Sequence, residues 1–264
     1  MSAPQAIQSV LRRVIYASAP APVSMRDSWY HIADLDHFWM RRRFDVFRYL
    51  AGPLIRDAAR IAEIGCGNGI VQTQIEQHYG VPVAGFDLNE FALKKNVSSL
   101  SPVYCYDIHQ RSPEFQARFD LVLLFDVLEH IHDEASFLES TMYHMSDSGT
   151  LAINVPAHQA LYSKYDQAVG HVRRYSIRSL SAALQKTGLK IRSYTYWGLP
   201  LLPLLFARKA ILSLRRHTDP GIIEAGFDPG GRRTNSSLGL LARCEPLPQR
   251  HFGISLMALV ERQR

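Results

Sequence analysis

Through the middle of the chain, short apolar runs alternate with longer stretches in which apolar residues recur at helical spacing. The runs near 60–64, 82–87, 102–106, 120–125, 149–154 and 190–196 are too short for helices and have few polar interruptions, as strands covered on both faces do. Between them, segments near 70–79, 89–97, 134–145 and 176–187 carry the helical period, as in Val71, Ile75 and Tyr79. Ser176 can cap the last of these helices and Gly188 close it. Strands and helices in strict alternation predict an α/β fold, a parallel sheet with helices on both faces.

The flanks follow other patterns. Residues 1–25 are rich in Pro, Ala and Ser and read as an arm that is mobile at least in part. A helical pattern over Arg26 to Leu50 (Trp29, Ile32, Phe38, Trp39, Phe44, Phe47, Leu50) is expected to stop at Gly52-Pro53. After Trp197 the run Gly198 to Phe206 is strongly apolar, yet proline-broken and too short to span a bilayer. Leu204 to Arg216 reads as an amphipathic helix, with Phe206, Ala207, Ala210, Ile211 and Leu214 on one arc and Arg208, Lys209, Arg215 and Arg216 largely outside it. A Gly/Pro/Arg-rich loop from Asp219 to Asn235 and a last strand from Phe252 to Val260 complete the chain. The expected division is an arm and helical cap (1–52), a core (53–198), an insertion (199–250) and a final core strand (251–264).

Composition narrows the class. A chain of 264 residues with 47% hydrophobic and 20% charged residues suits one large, folded α/β unit with elaborations. Three cysteines without metal-ligand spacing imply free thiols in a reducing cytoplasm, and no metal is expected. Arg12 and Arg13 interrupt the one N-terminal apolar stretch, so a signal peptide is not expected. The net charge of +6 divides as +4 over 1–60 (nine basic, five acidic), −3 over 61–199 (eleven and fourteen) and +5 over 200–264 (ten and five). Basic flanks around an acidic core would meet an anionic substrate or an acidic membrane surface, or are simply solvated arginines.

Candidate chemistry starts at Glu63-Ile64-Gly65-Cys66-Gly67-Asn68-Gly69, where the first core strand turns into a helix. Glycines there let the backbone come close to a ligand that a β-carbon would exclude. Asp87, about twenty residues on, ends the next strand, the usual place for a carboxylate that binds ribose hydroxyls. The spacing is G-x-G-x-G rather than the dinucleotide G-x-G-x-x-G, and no basic residue accompanies it, so a ligand without phosphate fits better.

With Gly85 to Asn89, Cys105-Tyr106-Asp107-Ile108, Phe119 to Val122, Asp126 to Ile131 and Gly149 to Pro156 following in order, the chain resembles the class I S-adenosylmethionine-dependent methyltransferases over residues 55 to 198. The resemblance implies a Rossmann-like seven-stranded sheet, mainly parallel with the last strand antiparallel, and an insertion near the substrate side. It implies S-adenosyl-L-methionine as cofactor and S-adenosyl-L-homocysteine as product. By the same token Glu63, Gly65, Cys66, Gly67 and Gly69 would hold the methionine end, Asp87 and Leu88 the ribose, Asp107 and Ile108 the adenine, with Phe125 beside them. Absence of an N/D-P-P-Y/F sequence after the fourth strand argues against methylation of base or glutamine amide nitrogens.

Asp166-Gln167-Ala168-Val169-Gly170-His171-Val172-Arg173-Arg174-Tyr175 is similar to a D-x-x-x-G-H-x-R-R-Y segment of a bacterial subgroup suspected of acting on glycans or lipid-linked metabolites. This leads us to expect His171 or His130 as base, Asp166 and Tyr175 beside it, and Arg173, Arg174 and Trp39 against an anionic or sugar-linked acceptor. An ion-paired structural hinge, Asp166 with Arg174, is the competing reading. Glu129 could serve a base or sit in a buried hydrogen-bonded turn. The expected reaction is methyl transfer to a small-molecule, glycan or lipid-linked acceptor at oxygen, and the 199–216 segment a lid or a membrane-surface contact. A nucleic-acid methyltransferase (pI about 9.3), a non-catalytic S-adenosylmethionine-binding partner and, last, an NAD-dependent oxidoreductase are the alternatives. The location would be cytoplasmic, or at the inner membrane surface.

Overall fold

The computed structural model describes residues 14–23, 29–214, 221–222 and 228–263. Most of the expected arm, the arginines at 215 and 216 and much of the 219–235 loop lie outside these residues.

The core strands form where the apolar runs predict them: β2 (Ile61–Ile64), β3 (Val83–Asp87), β4 (Val103–Cys105), β5 (Phe119–Phe125), β6 (Met145–Pro156) and β7 (Leu189–Trp197). Two more complete the sheet, β1 (Ile15–Tyr16) ahead of them and β8 (Ser255–Arg262) behind. The order β1-β4-β3-β2-β5-β6-β8-β7 makes one eight-stranded sheet, parallel except where β8 inserts antiparallel between β6 and β7. Every residue of β2 is buried, as a central strand covered on both faces requires. Strand order reverses between β2 and β5, so the loops after these strands diverge and leave a crevice at their C-terminal ends.

Strand β1 falls within the expected arm. It is half exposed and only two residues long, and Val14 ahead of it packs on the cluster that contains Cys66, Leu93 and Cys105. Beyond it, the Ala17 and Ser18 N–H groups donate to the Cys105 carbonyl at 3.0 and 2.9 Å, which carries Pro22 and Val23 over the crevice.

The single helical pattern of 26–50 resolves into α1 (Trp29–Ile32) and α2 (Phe38–Asp57), the latter capped by His37, whose ring nitrogen accepts from the Trp39 N–H at 3.2 Å. Gly52-Pro53 does not stop α2. An interior proline costs about 3 kcal/mol through its missing N–H and ring clash. Continuing the helix buries Ala51 and Ile55 completely and Leu54 in part, and each large side chain buried contributes about 1.5–3 kcal/mol, enough to offset the proline.

Helices α3 (Ile70–Tyr79), α5 (Glu134–His144) and α7 (Ile177–Gln185) match expectation, with a Ser176–Ser179 capping box on α7. Helix α4 (Glu90–Lys94) is shorter than expected, because Asn96 leaves the helical path to donate to the Gln72 side chain at 2.8 Å. Helix α6 (Lys164–Val169) opens the segment ending at Tyr175. In the insertion, α8 (Leu202–Leu214) lies where a helix is expected, whereas α9 (Arg232–Ala242) begins inside the stretch read as loop.

One buried carboxylate ties the insertion down. Glu245 accepts the Arg42 guanidinium at 2.9 and 3.2 Å and the backbone N–H groups of Gly198 and Leu199 at 3.0 and 2.9 Å. Its side chain is wholly buried. Removing one partner of a buried pair strands the other charge, so Arg42→Ala and Glu245→Ala are each expected to cost about 3–5 kcal/mol in urea unfolding. The double variant should cost clearly less than the sum of the two.

Candidate active site

The crevice holds two adjoining cavities. The first, of about 380 Å³, follows the glycine loop. Gly65 and Gly67 adopt φ of +77° and +53°, and a Cβ would come within 2.4 Å of Val127 and 2.9 Å of the Tyr30 ring respectively. Glycine is therefore required on steric as well as conformational grounds. Gly69 is different: it caps α3, its Cβ would strike Asn96, and it does not line the cavity. The other residues expected to hold a cofactor (Glu63, Gly65, Cys66, Gly67, Asp87, Leu88, Asp107, Ile108 and Phe125) all line it.

Asp87 accepts the Gly67 and Asn89 N–H groups, both at 2.8 Å. It braces the glycine loop, using two of the roughly four lone-pair positions of a carboxylate and leaving the others for a ligand. Helix α4 is capped by Asn89 instead. Asp107 caps a short 3₁₀ turn by accepting from the His109 N–H at 2.9 Å. Glu63 is almost fully buried, and among the described residues its Oε2 has no hydrogen-bond partner. Burial, helped by the charge of Asp87 and opposed by Arg43, pushes its carboxyl up to about 8. That free oxygen on a buried acid near the end of β2 leaves room for a donor from a ligand. Burial also raises the Cys66 thiol, which leaves it unreactive.

The second cavity, of about 230 Å³, has Trp39, Asp126, Glu129, His171, Arg174 and Arg208 in its wall together with leucines of α8. Asp126 lines both cavities, so they meet at the tip of β5. His171 Nδ1 lies 2.9 Å from Asp166, and its Nε2 lies 3.7 Å from Glu129 Oε1. The Arg174 guanidinium donates to the same Asp166 oxygen at 2.7 Å, and the Ser163 N–H and hydroxyl donate to the other at 2.8 and 3.0 Å. Burial alone would raise the Asp166 carboxyl, but the hydrogen bond from His171 and the charge of Arg174 outweigh it and hold it well below the ordinary range. The hinge pairing of Asp166 with Arg174 and the histidine pairing therefore coexist on one carboxylate.

Glu129 is wholly buried, and neither carboxylate oxygen has a hydrogen-bond partner among the described residues. The sequence reading of a hydrogen-bonded turn is thus half right: buried, but not satisfied. Burial, then the charge of Asp126, raises its carboxyl well above the usual range. His130 lines the first cavity with its ring edge-on to His171 at 4.8 Å. Burial and the neighbouring imidazole lower it to about 3, so it is neutral at physiological pH and only a weak base. Donor atoms of Glu129, His130 and His171 lie within 4.8 Å of one another, a proximity that sequence spacing did not reveal.

Two expected site residues face elsewhere. Tyr175 is buried in the core, its hydroxyl donating to Glu134 and, at 3.2 Å, to the Leu128 carbonyl. Arg173 pairs with Glu134 at 2.7 Å and the His132 carbonyl at 3.2 Å and lines neither cavity. The alternation of side chains past Val172 turns Arg174 inward and Arg173 outward. Conversely, Arg43, which nothing in the sequence places at the site, is 5% exposed and pairs with Asp126 at 2.5 Å.

The methyltransferase domain family matches residues 32–194, well over half of the chain. In fold the chain is similar to a SAM-dependent methyltransferase from Archaeoglobus fulgidus, with 19% identity over 84% of this chain and 94% of that one and a TM-score of 0.52. It is also similar to the Burkholderia thailandensis 1,6-didemethyltoxoflavin-N1-methyltransferase with bound 1,6-didemethyltoxoflavin and S-adenosylhomocysteine (17% identity, 90% and 82% covered, TM-score 0.53). A [4+2]-cyclase shares the fold at 12% identity, 94% and 99% covered and a TM-score of 0.52. No curated protein matches this sequence. The chain belongs to the methyltransferase domain family. It is an S-adenosylmethionine-dependent methyltransferase.

The buried carboxyls set a pH signature for the free protein. Glu63 keeps its proton in the folded state up to about pH 8, whereas an unfolded chain loses it near 4.5, so folding is weakened as pH rises through that interval. His130 acts in the opposite sense below its ordinary value of 6.5, because only the unfolded chain binds that proton readily. The two effects oppose each other up to about pH 6.5 and the carboxyls act alone above it. Thermal melts should show stability falling between pH 6.5 and 8, and Glu63→Gln and Glu129→Gln should each reduce the slope.

Proposed function

We propose that the protein transfers a methyl group from S-adenosylmethionine to a hydroxyl of a small, largely apolar or lipid-linked acceptor seated in the second cavity. The observation that carries this reading is His171, in the wall of a cavity that meets the first cavity at Asp126, with its Nδ1 on Asp166, which Arg174 fixes in turn.

The residues present fit the cofactor. Glu63, orphaned and buried, suits the amino group of its methionine portion, the Gly65–Gly67 backbone allows close approach, and the spare lone pairs of Asp87 suit ribose hydroxyls. When bound, the cofactor supplies an activated sulfonium methyl, so the protein needs only to align the acceptor and remove its proton. With Nδ1–H donated to Asp166, His171 presents the Nε2 lone pair to an acceptor hydroxyl. Asp166 stabilises the imidazolium that forms, and Arg174 keeps Asp166 ionised. Glu129, whose carboxyl burial raises well above the ordinary range, can donate a hydrogen bond to the acceptor when protonated. Leu201 and Leu205 of the α8 region and Trp39, packed at a tilt on Trp197 with ring centroids 4.3 Å apart, keep water out.

The test is methyl transfer to candidate phenolic, sugar and lipid-linked acceptors, alongside S-adenosylhomocysteine affinity and melting temperature. His171→Ala should lower transfer about a hundred- to ten-thousand-fold with cofactor affinity preserved. Asp87→Ala should do the reverse, weakening cofactor binding by about 1.5–3 kcal/mol. Unchanged transfer in folded His171→Ala would remove the base. A second reading, metal-assisted activation, is favoured by the three donors of Glu129, His130 and His171. Transfer should survive exhaustive chelation; loss that a divalent cation restores would replace the base with a metal site.

A further inference from the structure

Helix α8 is amphipathic the wrong way round for a surface helix. Arg208, stacked on the Tyr165 ring, lines the second cavity together with Leu201 and Leu205, and the Lys209 ammonium donates inward to the Ala160 carbonyl at 3.0 Å. On the other side Leu204, Phe206 and Ile211 are 48%, 52% and 51% exposed, and Pro203, Ala207 and Ala210 are exposed as well. At ~100° per residue these six positions cover about 160° of the helix without a single charge. The expected apolar arc is exposed from Phe206 to Ile211; Leu201, Leu205 and Arg208 pack over the protein's own site and leave that arc uncovered.

We propose that this outward face of α8 seats the protein on an anionic lipid surface, lying in the interface rather than crossing it. Charge selects the occupant. Residues 200–264 carry ten basic and five acidic side chains. Of the acids, Glu245 is buried against Arg42, Glu261 pairs with Lys190 and Asp228 is exposed, whereas Arg232 and Arg233 are exposed and Arg243, exposed as well, pairs with Asp45. Anionic headgroups complement such a segment, while a second copy of the chain would bring like charge to like. No helix among the described residues is long and apolar enough to cross a bilayer, so contact is confined to the interface. Leu204 both lines the second cavity and is half exposed, so the bilayer would lie at the cavity wall, where a lipid-linked acceptor could enter.

The experiment is flotation of the full chain with vesicles of phosphatidylcholine alone or with phosphatidylglycerol added, at low and high salt. Binding should require the anionic lipid, fall with salt, and drop at least about ten-fold in Phe206→Glu/Ile211→Glu. S-adenosylhomocysteine affinity and melting temperature of that variant should stay at the wild-type values, which separates membrane binding from cofactor binding and folding. Failure of the wild type to float at low salt, or equal flotation of the variant, overturns the proposal. So does a wild-type dimer in sedimentation velocity that the double substitution dissociates without any flotation, because the face would then join two copies. A variant that melts early is replaced by Phe206→Ser/Ile211→Ser, read in the same way. None of these readouts requires methyl transfer.

Discussion

The ion pair between Arg43 and Asp126 is the contact on which the site's geometry depends. Asp126 follows β5 with φ of +57°, a left-handed conformation uncommon outside glycine that aspartate tolerates better than most residues. Its side-chain contacts form a chain. Arg43 of α2 holds one carboxylate oxygen, Asn154 of β6 donates to the other at 2.6 Å, and the Trp197 indole of β7 donates to Asn154 at 2.9 Å. A cap helix, two central strands and a late strand are thereby clamped around one residue, and that residue stands in the wall of both cavities. Its backbone sets how they communicate, and Arg43 supplies the positive charge that partly restrains Glu63. Cap and core are thus one catalytic unit rather than a lid resting on a scaffold.

Much of this was legible from residue order. Strands buried on both faces leave continuous apolar runs, and β2 to β7 fall where those runs lie. The glycine loop was legible because its spacing encodes a steric demand, and the demand is visible at Gly65 and Gly67. Tertiary overrides were not. Pro53 breaks a helix locally but loses to the burial of Ile55, and nothing near Pro53 in sequence records that burial. Strand β1 was invisible because two residues carry no period, and α9 because a Gly- and Arg-rich stretch shows no apolar stripe until packing supplies one.

The site divides in the same way. The positions expected to hold the cofactor line the first cavity, apart from Gly69, which meets Asn96. The polar segment from Asp166 to Tyr175 sends His171 and Arg174 to the second cavity, and its sequence does not say which side chains turn inward. Arg173 and Tyr175 pair with Glu134 behind the wall. Glu129 and Arg43 have no sequence mark of burial, since a charged residue in a short motif looks alike whether solvated or orphaned. Only the three-dimensional surroundings separate them.

The insertion of β8 between β6 and β7 governs when the molecule can close. Strand β7 reaches the sheet through β8 alone, with Leu189 opposite Arg262 and Trp197 opposite Ser255. During synthesis, β2 to β6 can pair as they emerge, but β7 has no neighbour until residues 255–262 have been made. Trp197, which anchors the hydrogen-bond chain to Asp126, therefore docks last. Strands around the first cavity can thus pair before the second cavity has its full wall, which waits for β8 to bring β7 and Trp197 into the sheet.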